Sequence, residues 1–186
     1  MADAVSASMQ ARTGRTVSEW VDAVTAAGID PLDQLAVRRW LKDTHGIAQN
    51  SQWTIAFAAA ESAGWVRPSA DGYTDTLYAG AKAPLRPLHD AVLAVALALG
   101  PDTEAQGRST YIPVVRATQF AAIAPGPGGT LRVGLRFRTQ VPDDARLEPA
   151  KGFAQATHWV HLPGASLLAD AAALEPLLAA AYLQNG

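Results

Sequence analysis

The stretch Leu131-Arg132-Val133-Gly134-Leu135-Arg136-Phe137-Arg138 alternates large apolar residues with polar or small ones without a break. Period-two alternation is the pattern of a half-buried β-strand, because successive side chains leave a pleated backbone on opposite faces. Leu131, Val133, Leu135 and Phe137 are therefore expected to face a core, which sends Arg132, Arg136 and Arg138 together to the other side. Around this strand, the runs Tyr111–Arg116, Gln119–Ala124 and Thr157–Leu162 read as further strands. Pro113 places the first of them at an edge, since proline has no N–H to give a ladder. Pro125-Gly126-Pro127-Gly128-Gly129 reads as the turn between the second and third strands, and residues 139–156 as a long, mostly irregular connection.

Helical periodicity brackets these strands. From Pro84 or Pro87 to Leu99, the residues Leu85, Leu88, Val92, Val95 and Leu99 form one stripe, widened by Leu93 and Leu97 and stopped by Gly100-Pro101. A helix this apolar is expected at the centre of the core, with Val92 and Val95 buried under the sheet. Pro176 cannot lie deep in a helix, so the last one is expected to begin near Glu175 and run through Tyr182. The order α-β-β-β-β-α predicts an α+β domain over residues 77–184: a four-stranded antiparallel meander flanked by helices on one face.

Residues 13–65 predict a separate small domain of three helices. Thr16-Val17-Ser18-Glu19 fits a capping box, followed by Val17, Trp20, Val21 and Val24 at helical spacing up to Gly28. Asp30-Pro31 reads as the start of a second helix that runs to Gly46, and Asn50 or Ser51 as the cap of a third that ends at Gly64. Trp20, Trp40, Trp53 and Trp65 are expected to fill this core. Residues 66–76 lack periodicity and contain Pro68 and Gly72, and they read as a linker.

Composition removes several functions. Among the 186 residues there is no cysteine, which leaves no disulfide scaffold, thiolate metal site or cysteine nucleophile. The beginning MADAVSASMQAR lacks the apolar core of a signal peptide. The longest apolar run, Ala91 to Leu99, is far short of the ~20 residues that span a bilayer. The expectation is a cytoplasmic protein without a membrane partner. The net charge of −2 conceals a basic segment, residues 108–161. There Arg108, Arg116, Arg132, Arg136, Arg138, Arg146 and Lys151 outnumber Asp143, Asp144 and Glu148. Such asymmetry suits an anionic partner.

The residues also carry a resemblance. TGRTVSEWVDAVTAAG (13–28) with RRWLKDTHGI (38–47) resembles the helical domain of unknown function 4287. LYAGAKAPLRPLHDAVLAVALALGPDTE (77–104), TYIPVVRATQFAAIAP (110–125), LRVGLRF (131–137), THWVHL (157–162) and AAY (180–182) resemble domain of unknown function 5655. The Leu77-Tyr78-Ala79-Gly80 lead-in and Thr157-His158 are the most specific pieces. The resemblance implies a two-domain bacterial protein and implies no reaction. The family pattern sets a lysine ahead of the first strand, where this chain has Arg108.

Motifs of catalysis are mostly missing. His158 and His161, three apart on a strand, fall on opposite faces and cannot share a metal; His158 reads as a partly buried, hydrogen-bonded histidine. His45 suits a helix end, and His89 reads as a helix-flank residue. Gly126-Pro127-Gly128-Gly129-Thr130 resembles a phosphate loop superficially, but it lacks the lysine and leads into a strand, so it reads as a turn. Asp143-Asp144 after Pro142 is a turn signature, and no Gly-x-Ser-x-Gly elbow occurs. The third helix, with Glu61 and no Arg or Lys over residues 52–62, does not suit reading DNA. No metal site and no cofactor is implied. What remains is the outer sheet face, where strand alternation sends Trp159 and His161 beside Arg132, Arg136 and Arg138. Indole beside guanidinium serves a cation–π or stacking platform, or an interface with a second copy or with the helical block. The candidate binding residues are thus Arg132, Arg136, Arg138, Trp159, His161 and Arg108. The leading expectation is a non-enzymatic small-molecule or protein-interaction module. The alternatives are an anion or nucleic-acid binding module using this basic face, and an enzyme whose dispersed residues converge in space.

Overall fold

The computed structural model describes residues 2–165 and 168–186 of the chain, with side chains described for residues 8–165 and 169–186. The chain divides into two compact units, Met1–Arg67 and Pro68–Gly186.

The first unit holds α1 (Ala2–Thr13), α2 (Val17–Ala26), α3 (Gln34–His45) and α4 (Gln49–Ser62). The capping box forms: the Glu19 N–H donates to Thr16 Oγ1 at 3.2 Å, and Thr16 N–H to Glu19 Oε2 at 2.7 Å. Helix α1 was not expected, yet its Met9 is fully buried beside Trp20, Val24, Val37, Leu41 and Ile55. Two caps differ from expectation. Asp30 spends its carboxylate on the N–H of Leu32 in a local turn, so α3 starts later and is capped by Asp33, which accepts from Ala36 at 2.9 Å. Helix α4 begins after Ala48 with no side-chain cap, ahead of the expected Asn50 or Ser51. Gly46 ends α3 at φ +63, the left-handed conformation a glycine stop supplies. Of the four tryptophans, only Trp20 is buried. Trp53 and Trp65 instead each stack on Phe57, at 5.4 and 5.8 Å.

The second unit opens with α5 (Ala70–Leu77), where a linker over 66–76 was expected. Ser69 caps it by accepting from Gly72 at 3.2 Å, and Leu77 reaches the core with Tyr73 packed against it. One short apolar edge gave no readable stripe, but burial of that edge holds the helix. A 3₁₀ turn (Gly80–Leu85) leads into α6 (Arg86–Leu97), whose Leu88, Val92 and Ala96 are buried in one stripe together with His89. Val95 and Leu99 are half-buried at the margin of the same core, and Leu97 is exposed.

The strands are β1 (Glu104–Ala105), β2 (Ile112–Val115), β3 (Gln119–Pro125), β4 (Thr130–Leu135), β5 (Glu148–Pro149) and β6 (His158–Pro163). They form one antiparallel sheet in the order β1-β2-β3-β4-β6-β5. The sheet thus has six strands rather than four, because two-residue strands flank the four long ones, and β5 lies outside β6 rather than between β4 and β6. Pro113 is therefore not on the outermost strand; β1 pairs with Val114 and Val115, and the Pro113 carbonyl accepts from Gln106 at 3.0 Å. After the sheet come α7 (Leu168–Ala172) and α8 (Glu175–Leu183).

Register sets the two faces. Ile112 opposes Ile123, Ile123 opposes Val133, and Val133 opposes Val160, all buried in the core with Leu131, Leu135 and Leu162. Leu88 and Val92 of α6 and Leu177, Leu178 and Ala181 of α8 close this core. On the opposite face, Ala124 opposes Arg132, Arg132 opposes His161, and Gly134 opposes Trp159, whose other neighbour is Glu148 of β5. The connection 139–156 does not stay clear of this outer face. A Cβ at Gly134 would lie 2.8 Å from Phe153 and 2.9 Å from Ala156, so residues 153–156 lie on the outer face at the centre of the sheet.

A guanidinium–aromatic platform as the candidate functional site

Arg132 is the hub of the outer face. From β4, its Nε donates to His161 Nε2 on β6 at 3.0 Å. This hydrogen bond fixes the imidazole as neutral at Nε2, since an acceptor nitrogen carries no proton. The guanidinium carbon lies 4.6 Å from the centre of the Trp159 ring and 5.1 Å from that of Phe153, within cation–π range of both. Trp159 is itself oriented: its indole N–H donates to Glu148 Oε2 at 3.1 Å, and its ring meets His161 at 5.4 Å and Phe153 at 6.5 Å. Tyr111 extends the aromatic row, edge-on to Phe153 at 5.8 Å. Partial burial, then the Arg132 cation, hold the His161 imidazole below its ordinary range, against the opposing pull of Glu148.

The expected residues are not all assembled here. Arg132, Trp159 and His161 come together. Arg136 is turned to Gln155, donating from Nη1 to Oε1 at 3.1 Å. Arg138 departs. Its expected place on the same face required the strand to continue, but the Thr157 hydroxyl accepts the Phe137 N–H at 3.0 Å and the ladder ends. The Arg138 guanidinium then reaches Asn185 Oδ1 and Thr118 Oγ1, each at 3.0 Å, and serves to hold the end of the chain. Arg108 lies exposed in the loop before β2, and among the described residues it makes no hydrogen bond, ion pair or ring contact with the platform.

Phe153, Glu148 and Gln155 were missed because they sit in the connection that carries no periodicity. The one available signal was Phe153, a single aromatic in the polar run Lys151-Gly152-Phe153-Ala154-Gln155. Two of its neighbours hold unusual backbone: Ala154 at φ +48 and Gln155 at φ +60 are left-handed without being glycine. The Gln119 side chain donates to the Ala154 carbonyl and pins this turn to β3.

Elsewhere, Asp102, Arg116 and Tyr182 form a surface triad. Arg116 Nε donates to Asp102 Oδ2 at 2.7 Å, the Tyr182 hydroxyl donates to Asp102 Oδ1 at 2.6 Å, and the guanidinium lies 4.2 Å from the Tyr182 ring centre. This triad ties α8 to the loop after α6. His158 is half-buried with its Nδ1 3.2 Å from the Thr157 hydroxyl. His89 is fully buried and its ring packs 4.6 Å from that of Tyr78, with neither ring nitrogen nor the Tyr78 hydroxyl engaged by protein. Among the described residues, no group of three His, Cys, Asp or Glu side chains is placed to hold a metal ion, and no helix is long and apolar enough to cross a membrane.

Residues 74–185 match the family described as Domain of unknown function (DUF5655), and residues 2–51 match Domain of unknown function (DUF4287). No curated protein matches the chain, and no solved structure does.

Proposed function

We propose that this chain, which belongs to the DUF5655 family through residues 74–185, is a non-enzymatic binding module whose outer sheet face receives an oxyanion group of a small molecule or protein segment. One observation carries the reading. The Arg132 guanidinium is oriented by His161 and by the Trp159 ring, while among the described residues its two Nη groups have no protein partner. An oriented guanidinium with free Nη donors matches the planar, two-oxygen geometry of a carboxylate or phosphate. The adjoining rings of Trp159 and Phe153 offer apolar area for the body that carries the anion.

A nucleic-acid track asks for several phosphate contacts along the face. Arg138 is spent on Asn185 and Arg136 on Gln155, which supports the narrower reading over the nucleic-acid alternative.

Sulfate and a single-stranded oligonucleotide, each titrated while the Trp159 indole N–H resonance is followed, test the proposal. Sulfate is expected to shift that resonance in the natural protein and not in Arg132→Ala. Oligonucleotide binding that also needs Arg136 and weakens steeply with salt would favour the nucleic-acid alternative. A change of mass in Arg132→Ala, seen by light scattering, would assign the face to a second copy. If neither probe moves Trp159, the reading fails.

A further inference from the structure

The hydrogen bond that orients Arg132 also occupies the edge by which a guanidinium grips an oxyanion side-on. Bidentate capture uses two adjacent N–H groups, and one of the two available forks includes Nε. Here Nε is committed to His161 Nε2 at 3.0 Å, so a neutral His161 and an incoming anion compete for the same donor. We propose that His161 gates the platform by protonation: a proton taken from solvent at Nε2 releases Arg132 Nε, and the acid form captures the oxyanion through the freed fork. This rests on the oxyanion reading of the platform given above.

The geometry makes the step necessary rather than optional. Protonated Nε2 is a donor, and two donors 3.0 Å apart cannot keep the bond, so the guanidinium must part from the ring. The charged groups facing His161 are Arg132 on β4 and Glu148 on β5. The turn 126–129 lies against the ring as well, with Gly126 close to His161 Cδ2, and has no ionisable side chain. Arg132 resists the protonation and Glu148 favours it. An anion between Arg132 and His161 would neutralise the resisting charge, so proton and anion should bind cooperatively.

Sulfate is the suitable probe because its charge does not change across the range. Its affinity is expected to rise about tenfold from about pH 8 to about pH 5, and sulfate should raise the pH at which His161 titrates by about one unit, the two being one coupling. The first is read from the Trp159 resonance and the second from the imidazole carbon and nitrogen shifts of the unmodified protein. His161→Gln, which still offers an oxygen to Arg132 Nε but does not titrate, should bind sulfate weakly at every pH. Sulfate binding that needs Arg132 but is independent of pH, or tighter at alkaline pH, would overturn the gate and leave the platform standing. Absence of sulfate binding at every pH, or undiminished binding in Arg132→Ala, would overturn the platform and the gate together.

Discussion

Phe153 lies across Gly134 so closely that a Cβ at residue 134 would stand 2.8 Å from Phe153 Cε1 and 2.9 Å from Cδ1. Gly134 occupies the position on β4 directly opposite Trp159, so the same close approach that admits Phe153 also sets it beside the indole. The glycine is there for space and not for backbone freedom, as no positive φ is required of it.

Gly134→Ala is therefore expected to displace Phe153 and cost about 1–3 kcal/mol, as overpacking does in a closely fitted region. Urea denaturation gives the cost, and the Trp159 resonance should shift because its ring neighbour has moved. A change in midpoint equivalent to less than ~0.5 kcal/mol, the scale of ordinary surface substitutions, would mean that Phe153 is loosely held.

The close approach of Phe153 also marks the limit of what could be read from the chain. Leu131, Val133, Leu135 and Phe137 announced their buried face because the pleat has a period of two and nothing interrupts it. The start of the last helix was legible because Pro176 fits only the first turn. The strands Glu104–Ala105 and Glu148–Pro149 are too short to show any period, and they form because a neighbouring strand offers its free edge. Arg132, Trp159 and His161 were brought together by alternation plus register, which sequence patterns approach. Arg138 was not separable from them, because the end of the ladder depends on a hydroxyl, Thr157, nineteen positions further along the chain. Phe153 sits on the sheet in a turn where Ala154 and Gln155 are left-handed without being glycine, and apart from the lone aromatic itself no pattern in the sequence marks that turn.

His89 makes stability depend on acid. Burial lowers its imidazole from 6.5 to about 4; the Asp90 carboxylate pulls the other way, and the Arg86 cation adds a smaller lowering. A histidine depressed in the folded state adds full stability above its unfolded value, and that stability is lost as the pH falls. The window runs from about 6.5 down to about 4, and the loss amounts to about 3 kcal/mol. His89→Leu should flatten this slope in urea titrations made at successive pH values. Tyr78, whose hydroxyl has no protein partner, should tolerate Tyr78→Phe without loss of stability. A fall of more than ~1 kcal/mol in Tyr78→Phe would show that the hydroxyl is satisfied by an enclosed water molecule.

The last prediction separates Arg132 from Arg138, which alternation had placed on one face. Asn185 is 1% exposed and uses its whole amide. Nδ2 donates to the carbonyls of Arg136 and Ala181, each at 2.8 Å, and Oδ1 accepts from Arg138 Nε and Thr118 Oγ1, each at 3.0 Å. Next to it, Gln184 Oε1 accepts from the backbone N–H groups of Arg138, Thr139 and Gln140 at 2.8, 2.9 and 3.2 Å. These bonds fasten the chain after α8 to the chain leaving β4, so Arg138 acts as part of a clasp. Removing the Asn185 amide would leave the two carbonyls without their donor, at roughly 1–3 kcal/mol for a buried group so orphaned. Arg138→Ala should cost less, because its guanidinium is partly solvated and water replaces it. Both variants are expected to lower the urea midpoint and to leave the sulfate response of Trp159 intact. Arg132→Ala is expected to do the reverse, keeping the midpoint and abolishing the response. If Arg138→Ala also abolished the sulfate response, the clasp and the platform would be one site, and the three arginines would act together after all.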